Sequence, residues 1–107
     1  MRALEIQRGN NFGENTGVIP LSSHIDRYGL VEDVAKTITV PTGARVAVFS
    51  TLIDFYVKEG TTAVIPTTDV TNGSAPMLNA YVISVVGIEQ MTLIAPTSGE
   101  VLVAYYE

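Results

Sequence analysis

The segment IEQMTLIAPTSGEVLVAYY, residues 88–106, contains two apolar stretches that are separated by the turn sequence Pro-Thr-Ser-Gly. Residues 88–95 have the period of a β-strand, with Met91 and Leu93 on one face. Residues 100–106 are rich in Val and Tyr, which favour strands. The segment therefore predicts two β-strands joined by a turn, and no helical period competes with them.

Shorter stretches of the same kind precede this segment and are separated from one another by Gly, Pro and Asp. They are residues 33–40, 45–50, 55–58, 62–65 and 81–86. The first should bury Val34, Ile38 and Val40 on one face. The last is the most continuously apolar, so we expect it to be the most buried strand. Seven or eight short strands at roughly ten-residue spacing favour an antiparallel sandwich or barrel.

The strand over residues 55–58 contains a large apolar side chain, Phe55, that is a candidate for the core. Phe55 and Val57 are predicted on its buried face, and Tyr56 and Lys58 on the opposite face, because side chains alternate along a strand. Replacing Phe55 with Ala should then destabilise the fold strongly.

The overall composition agrees with a single β domain. The chain has 107 residues, of which 47% are hydrophobic and none is Cys, so disulfides and thiolate metal sites are excluded. The net charge of −5 argues against a nucleic-acid groove and suits either solubility or a basic partner surface. The sequence has no apolar run long enough to span a membrane and no secretory leader, so neither is expected.

The N-terminal region differs in texture from the rest of the chain. Residues 9–30 are rich in Gly and Asn, which predicts an irregular, extended arm. A short strand is expected over residues 3–8, with Leu4 and Ile6 on one face. Ser23 and Asp26 have capping-box spacing, which would allow one helical turn that Gly29 would end. The predicted organisation is therefore an N-terminal strand and arm, residues 1–30, followed by a sandwich domain, residues 31–107.

Catalytic motifs are nearly absent from the sequence. The single His, His24, lies in the predicted arm, whereas a Ser-His-Asp set needs an imidazole on a rigid scaffold. We interpret it as a surface residue or as one that packs against a neighbouring subunit. Gly9, Gly13 and Gly17 lack the strand and helix that flank a phosphate loop. We therefore predict no catalytic residues, no cofactor-binding residues and no metal ligands.

The carboxylates offer the nearest approach to a chemical site. Asp54 and Asp69 could face each other across a hairpin, as a glycosidase pair would, but both positions favour turn chemistry instead. Asp69, Thr71 and Asn72 could approach a Ca²⁺ ion, although this loop offers few charged oxygens. The triplet Asn72-Gly73-Ser74 matches a glycosylation signal and is interpreted here as a turn.

Four tyrosines lie in or beside predicted strands: Tyr56, Tyr81, Tyr105 and Tyr106. Tyr105 and Tyr106 must point to opposite faces, so one is expected in the core and the other outside. An outward Tyr is typical of protein interfaces and sugar-binding faces, although a partly buried Tyr that is bonded through its hydroxyl is commoner.

Three stretches resemble a small structural protein of tailed bacteriophages and prophages. They are KTITVPTGA (36–44), FSTLIDFYVKEGTTAVIPTTDVTNGSAPMLNA (49–80) and MTLIAPTSGEVLVAYYE (91–107), about two thirds of the chain. The shared features, in order, are a strand ending in V-P-x-G-A, a D-F-Y-V strand, T-A-x-I-P-x-x-D with a following N-G and L-N, and I-A-P before a strand rich in Val and Tyr.

The resemblance implies an all-β fold, a single antiparallel β-sandwich of jelly-roll-like type with an irregular N-terminal arm. It implies a non-enzymatic virion protein, of the capsid decoration, cement or head–tail accessory type, made in the host cytoplasm. The expected partners are further copies in a dimer or trimer and other virion proteins such as the major capsid protein. Neither nucleic acid nor a membrane is expected as a partner. A carbohydrate- or receptor-binding module of a phage tail is the alternative.

Overall fold

The computed structural model describes residues 1–4, 7–8 and 15–107. These residues form β-strands and no helix. The strands are β1 Gln7–Arg8, β2 Asn15–Val18, β3 His24–Leu30, β4 Lys36–Thr39, β5 Val46–Thr51, β6 Tyr56–Glu59, β7 Met77–Leu78, β8 Val82–Ser84, β9 Gln90–Ile94 and β10 Gly99–Tyr106.

Eight of these strands form two four-stranded sheets. Sheet I has the order β3-β10-β5-β8, and sheet II has the order β4-β9-β6-β7. Every pairing within them is antiparallel. The sheets enclose one apolar core, so the predicted all-β antiparallel sandwich is confirmed.

The pairing between strands is nested along the chain. β3 pairs with β10, β4 with β9, β5 with β8 and β6 with β7. This is the pattern of one long hairpin that has been folded over into two layers. As a result, β3 and β8 are the edge strands of sheet I, and β4 and β7 are those of sheet II. The consecutive strands β3 and β4 come first in the two orders, and the consecutive strands β7 and β8 come last.

The core contains the alternate side chains that point inward from both sheets. Val101, Val103 and Tyr105 of β10 are fully buried, as the period of two requires. Phe55 packs against Phe49, with ring centroids 5.4 Å apart. Burying each such side chain stabilises the fold by roughly 1.5–3 kcal/mol. Phe55 and Val57 are buried, and Tyr56 and Lys58 are more exposed, so the predicted facing of this strand is confirmed.

The outer face of sheet II is covered by the chain that follows β6. Thr92 is fully buried although it points away from the core, and its hydroxyl donates to the carbonyl of Gly60 in this covering segment at 2.9 Å. The Thr37 hydroxyl lies 3.0 Å from that of Thr92. Residues 62–65 follow directly and lie outside both sheets, so the strand predicted there is wrong.

The predicted N-terminal arm extends too far along the chain. His24–Leu30 forms the edge strand β3, which pairs with β10 over seven residues. The helical turn predicted from Ser23 and Asp26 is therefore wrong, Gly29 lies within a strand, and the boundary at residue 31 is displaced. The Gly and Asn content of residues 9–30 predicted irregular chain here, but the long partner strand β10 imposes extended backbone.

Nearer the N-terminus, the strand predicted over residues 3–8 is present only as Gln7–Arg8 among the residues that the structure describes, because Ala3 and Leu4 are described and are not in a strand. Gln7–Arg8 pairs with Asn15–Val18 in a two-stranded sheet that is separate from sheets I and II. The expected facing of Ile6, together with Gly9 and Gly13, lies outside the described residues.

Two predictions of burial are also wrong. The segment 81–86 contains the edge strand β8, in which Val82 is half exposed, and its neighbours Tyr81 and Val86 are more exposed still. An edge strand has no neighbour on one side, so its continuous apolar sequence does not mean burial. Ile38 is buried as predicted, but Val34 precedes β4 and is exposed.

Candidate interaction surface

The structure places His24 on a sheet, in a small polar cluster at the inner face of β3. Its Nε2 atom lies 3.4 Å from Oδ1 of Asp26, and its ring meets that of Tyr105 edge-on, with centroids 5.5 Å apart. The nearby Ser22 hydroxyl contacts main-chain atoms: it lies 2.7 Å from the Tyr105 carbonyl and accepts the His24 N–H at 3.0 Å. Because Ser22 is bonded to the backbone and not to the imidazole, this arrangement is not a nucleophile–base pair.

Two tyrosines complete this cluster. Tyr28 donates its hydroxyl hydrogen to Oδ2 of Asp26 at 3.0 Å. Burial raises the pKa of the Tyr28 hydroxyl, and the neighbouring Tyr105 and Asp26 raise it further. Burial also raises the pKa of Tyr105. Both phenols therefore stay protonated at neutral pH, where neither can act as a general base.

The two aspartates singled out by the sequence have different surroundings. Oδ1 of Asp54 accepts a hydrogen bond from Nδ2 of Asn79 at 2.9 Å. Asp54 lines a surface hollow that does not include Asp69, which is exposed in a loop. The prediction that Asp54 bonds to nearby backbone is wrong, because its bond is to the side-chain amide of Asn79, 25 residues further along the chain. The side chain that accepts a backbone N–H in this turn is that of Thr51, from Ile53.

The loop after Asp69 has the predicted turn at Asn72-Gly73-Ser74. The Asn72 amide oxygen accepts the Ser74 N–H at 3.1 Å, and Gly73 has φ 83°. This oxygen is therefore engaged within the turn. Among residues 1–4, 7–8 and 15–107, no group of three or more acidic or His side chains is placed to hold a metal ion.

The tyrosines are more buried than the sequence predicted. Tyr105 and Tyr106 do point to opposite faces, but both are buried. Tyr106 lies on the outer face of sheet I, and its hydroxyl donates to the Pro20 carbonyl at 2.6 Å. The Tyr106 ring is on the outer face as expected, but the segment before β3 covers it, so it is bonded through its hydroxyl, as the commoner alternative predicted, and is not free at the surface. The exposed member of the four is Tyr81, at 70%.

A group of exposed apolar side chains lies at and beside β7 and β8, which are edge strands of sheet II and sheet I. We call this region the β7–β8 edge. Its exposed side chains are Leu52, Met77, Leu78, Tyr81, Val82 and Val86. Five of them lie within ten residues of sequence, and Leu52 is fully exposed beside Tyr81 on the same hollow. Clustered exposed apolar side chains of this kind mark interaction sites on soluble proteins.

The β7–β8 edge is also almost free of charge. Between Gly60 and Ile88, Asp69 is the single charged residue. Natural sheets usually protect an open edge with Lys or other charged side chains that oppose edge-to-edge pairing. This edge has no such side chain in β7, in β8 or between them.

Asn79 fixes the connection between β7 and β8. Its Oδ1 atom accepts the Phe55 N–H at 2.9 Å, its Nδ2 atom donates to Asp54, and its own N–H donates to the Phe55 carbonyl at 2.8 Å. Its φ of 51° lies in the left-handed region, which Asn tolerates better than most residues. The three bonds tie the connection between β7 and β8 to residues 54 and 55, which directly precede β6.

The hollow at this end of the sandwich has a volume of about 580 Å³. Asp54, Asn79, Tyr81 and Leu52 are among the residues that line it. It combines an exposed ring with a fixed carboxylate–amide pair, which are groups able to contact the faces and hydroxyls of a sugar.

Comparisons with known proteins give no match. No family model matches the chain, and no curated protein or solved structure is significantly similar to it. The described residues contain no helix that is long and apolar enough to cross a membrane.

The sequence reasoning missed the β7–β8 edge as an exposed surface. The available signal was the long stretch with one charge, because a strand buried on both faces and an unprotected edge strand can have the same apolar composition. What distinguishes them is the number of neighbouring strands, which local sequence does not encode.

Proposed function

We propose that this protein is a non-enzymatic structural component of a phage virion, of the capsid decoration or cement type. It acts by oligomerising and by docking on other virion proteins, such as the major capsid protein. The observation that carries the proposal is the β7–β8 edge, an open sheet edge with exposed apolar side chains and without charge. A protein whose work is assembly needs such a surface, whereas a free monomer gains nothing from exposing it.

The strand pairing supports this proposal. Nested antiparallel pairs in two four-stranded sheets are what an eight-stranded jelly roll would have, and we infer that the sandwich is of this type. Jelly rolls are common in viral capsid proteins and in lectins. Fold alone does not fix function, so this support is secondary to that of the exposed edge.

The polar cluster also favours a structural role over an enzymatic one. His24, Asp26 and Tyr28 lie close together, but the hydroxyl of Ser22 is bonded to main-chain atoms. Within the described part of the chain, the cluster therefore stabilises the meeting of β3 and β10 without a free nucleophile.

We propose that the two-stranded ribbon of β1 and β2 is the assembly arm. An isolated two-stranded sheet is marginally stable in water, so a surface on a neighbouring subunit would stabilise it. Deleting residues 5–18 should then lower oligomer mass or particle binding while the sandwich remains folded. A deletion through residue 30 is unsuitable as a test because it removes β3.

The test of the function is immunogold electron microscopy of intact particles from the source phage or an induced prophage. Label distributed over the head supports the decoration role. Label confined to the tail, or absent from particles, overturns it. Particles from a strain that lacks the gene serve as the control for antibody specificity.

A second function, glycan binding at a phage tail, is favoured by the hollow beside Tyr81. A glycan array probed with the purified protein tests it, because Tyr81→Ala should abolish any signal that depends on ring stacking. Val86→Ala, which shortens an exposed side chain outside the hollow, is the matched control. An array without signal removes this alternative.

A further inference from the structure

The main chain of β8 has hydrogen-bonding groups that point away from sheet I. The Tyr81 carbonyl accepts the Phe49 N–H at 2.8 Å, and the Val85 N–H donates to Arg45 at 2.9 Å. In an antiparallel strand, successive residues direct these groups to opposite sides. Since Tyr81 and Val85 bond toward β5, Val82 and Ser84 direct their N–H and C=O groups toward the open edge.

These groups are spaced for pairing with an identical strand. If two copies of β8 run antiparallel with Ile83 on a two-fold axis, Val82 of each copy lies opposite Ser84 of the other. Both residues then exchange N–H and C=O bonds, while the two Ile83 residues form the pair without hydrogen bonds between them. A contact of this kind is self-complementary and closes after two subunits.

The charge distribution favours a second copy as the occupant. The chain has a net charge of −5, so two copies repel each other through most of their surfaces. The stretch between Gly60 and Ile88, with Asp69 as its single charge, is the part through which like-charged copies can approach at least cost. A strongly basic partner, by contrast, would find few carboxylates on this edge.

The exposed apolar side chains at this edge would supply most of the stabilisation of the dimer. A short strand provides few hydrogen bonds, so burial of apolar area must contribute most of the stabilisation. The half-exposed Val82 lies on the outer face of the sheet beside the axis, and the exposed Tyr81 precedes it in the chain. The exposed Met77 of the edge strand β7 shares the core-facing side of sheet II with Val57 and adds apolar area at this end of the sandwich.

We propose that two copies of this protein associate through β8, about a two-fold axis at Ile83, to form one continuous eight-stranded sheet. The inference deepens the proposed function, because it names the partner of the β7–β8 edge as a second copy of the chain. Larger assemblies on a particle would then be built from this dimer.

Disulfide cross-linking tests the register directly, because the chain contains no Cys and each introduced thiol is unique. In the proposed dimer, Ile83→Cys places two Cα atoms about 4.5 Å apart, within the range of a disulfide. Under a mild oxidant such as diamide, most of this variant should become a covalent dimer on a non-reducing gel.

Single-residue controls make this test specific. Val82→Cys alone and Ser84→Cys alone should cross-link poorly, because each residue and its own copy lie about 7–8 Å apart on the diagonal. An equimolar mixture of the two variants should cross-link efficiently. Equal cross-linking of all three single variants, or none by Ile83→Cys, overturns the proposed register.

Charge insertion tests the surface independently by sedimentation velocity over a hundredfold concentration range. Val82→Lys should shift the dimer–monomer equilibrium at least tenfold toward monomer. Ile25→Lys is the matched control, because Ile25 lies on β3, the opposite edge of the same sheet, and is 46% exposed against 50% for Val82. A control variant that dissociates as readily as Val82→Lys contradicts the assignment to β8.

The failure of this inference and that of the proposed function give different results. Wild-type protein that stays monomeric at all concentrations overturns the dimer, even if it labels phage heads. A dimer that cross-links as described but is missing from particles supports the inference and overturns the virion role. A monomer that binds purified major capsid protein in a Val82→Lys-sensitive manner replaces the second copy with a different occupant.

Discussion

The two open edges of the sandwich differ in the number of charged side chains and ion pairs that they contain. At the β3–β4 edge, Asp26 and Arg27 lie in the strand itself, and Arg27 forms an ion pair with Glu100. Lys36, which begins β4, donates to the Gly29 carbonyl at 3.2 Å. The strands of the β7–β8 edge have neither charges nor ion pairs, although their apolar side chains are about as exposed as those near β3 and β4.

This difference in charge indicates that the β3–β4 edge, and not the β7–β8 edge, is protected against pairing with other chains. Val31 and Val34 near the first edge are exposed too, but they flank the charged residues Glu32 and Asp33. Charges on an edge cost little in a monomer and oppose pairing with other chains. A protein that protects one edge and leaves the other open has one exposed apolar edge, which a symmetrically protected sandwich would lack.

The largest expected effect lies in the core beneath the β7–β8 edge. Phe55→Ala should lower the free energy of unfolding by roughly 3–5 kcal/mol, because Phe55 is buried against Phe49. Leu52→Ala is the control and should change it by less than about 0.5 kcal/mol, since Leu52 is fully exposed. Urea unfolding of both variants measures the difference, and a mild effect of Phe55→Ala would contradict its core assignment.

A smaller loss of stability is expected from removing the Asn79 side chain, which ties the connection between β7 and β8 to Asp54 and Phe55. Asn79→Ala removes the side-chain bonds to Phe55 and Asp54 and leaves a positive φ that Ala disfavours, for a cost of about 1–3 kcal/mol. Asn79→Gly keeps the backbone permissive and should cost less than Asn79→Ala. Hydrogen exchange should show faster opening at Tyr81–Val85 than at β3, and uniform loss of protection would deny that the two ends are held separately.

Tyr105 and Tyr106, which are adjacent at the end of β10, should differ in how much stability is lost when each is replaced by Phe. Tyr106→Phe loses the bond to the Pro20 carbonyl and should cost about 0.5–1.5 kcal/mol. Tyr105→Phe removes a buried hydroxyl for which the described residues offer no hydrogen-bond partner, so it should be neutral or slightly stabilising. Thermal unfolding of the two variants side by side decides this, and a larger loss for Tyr105→Phe would reverse the assignment.

The smallest effect concerns alkaline pH at the β3 end. Burial raises the pKa of Tyr28, so the folded state keeps this proton at a pH where the unfolded chain has released it. Stability from this group is complete below the ordinary value of about 10 and declines as pH rises above it. Tyr28→Phe should make the loss of stability above pH 10 shallower in denaturant titrations, and parallel curves for the two proteins would contradict this.

Local sequence was sufficient where neighbouring residues decide the outcome. The alternation at Phe55 and Val57, the turn at Asn72-Gly73-Ser74 and the long terminal strand were all predicted, because side-chain period and turn chemistry are local properties. The candidate surface was not predicted. Tyr81 and Val82 belong to a segment whose apolar content suited a central strand equally well.

The errors near the N-terminus have a related cause. Residues 24–30 end a stretch, residues 9–30, whose Gly and Asn content predicted irregular chain, yet seven pairings with β10 make them a strand. Tyr106 was expected outside because its neighbour Tyr105 is inside, yet Pro20 lies over it. Both outcomes depend on contacts between residues about 80 positions apart, which no local pattern reports.

The sequence by itself determined that this is an all-β protein, because residues that favour strands alternate between turns and no helical period is present. Tertiary structure decided which strands became edges and which outward side chains were covered. The physical reason is that an apolar side chain is buried only when another layer or strand is placed against it. That placement follows from the nested pairing of the whole chain, which left β8 open and β10 enclosed.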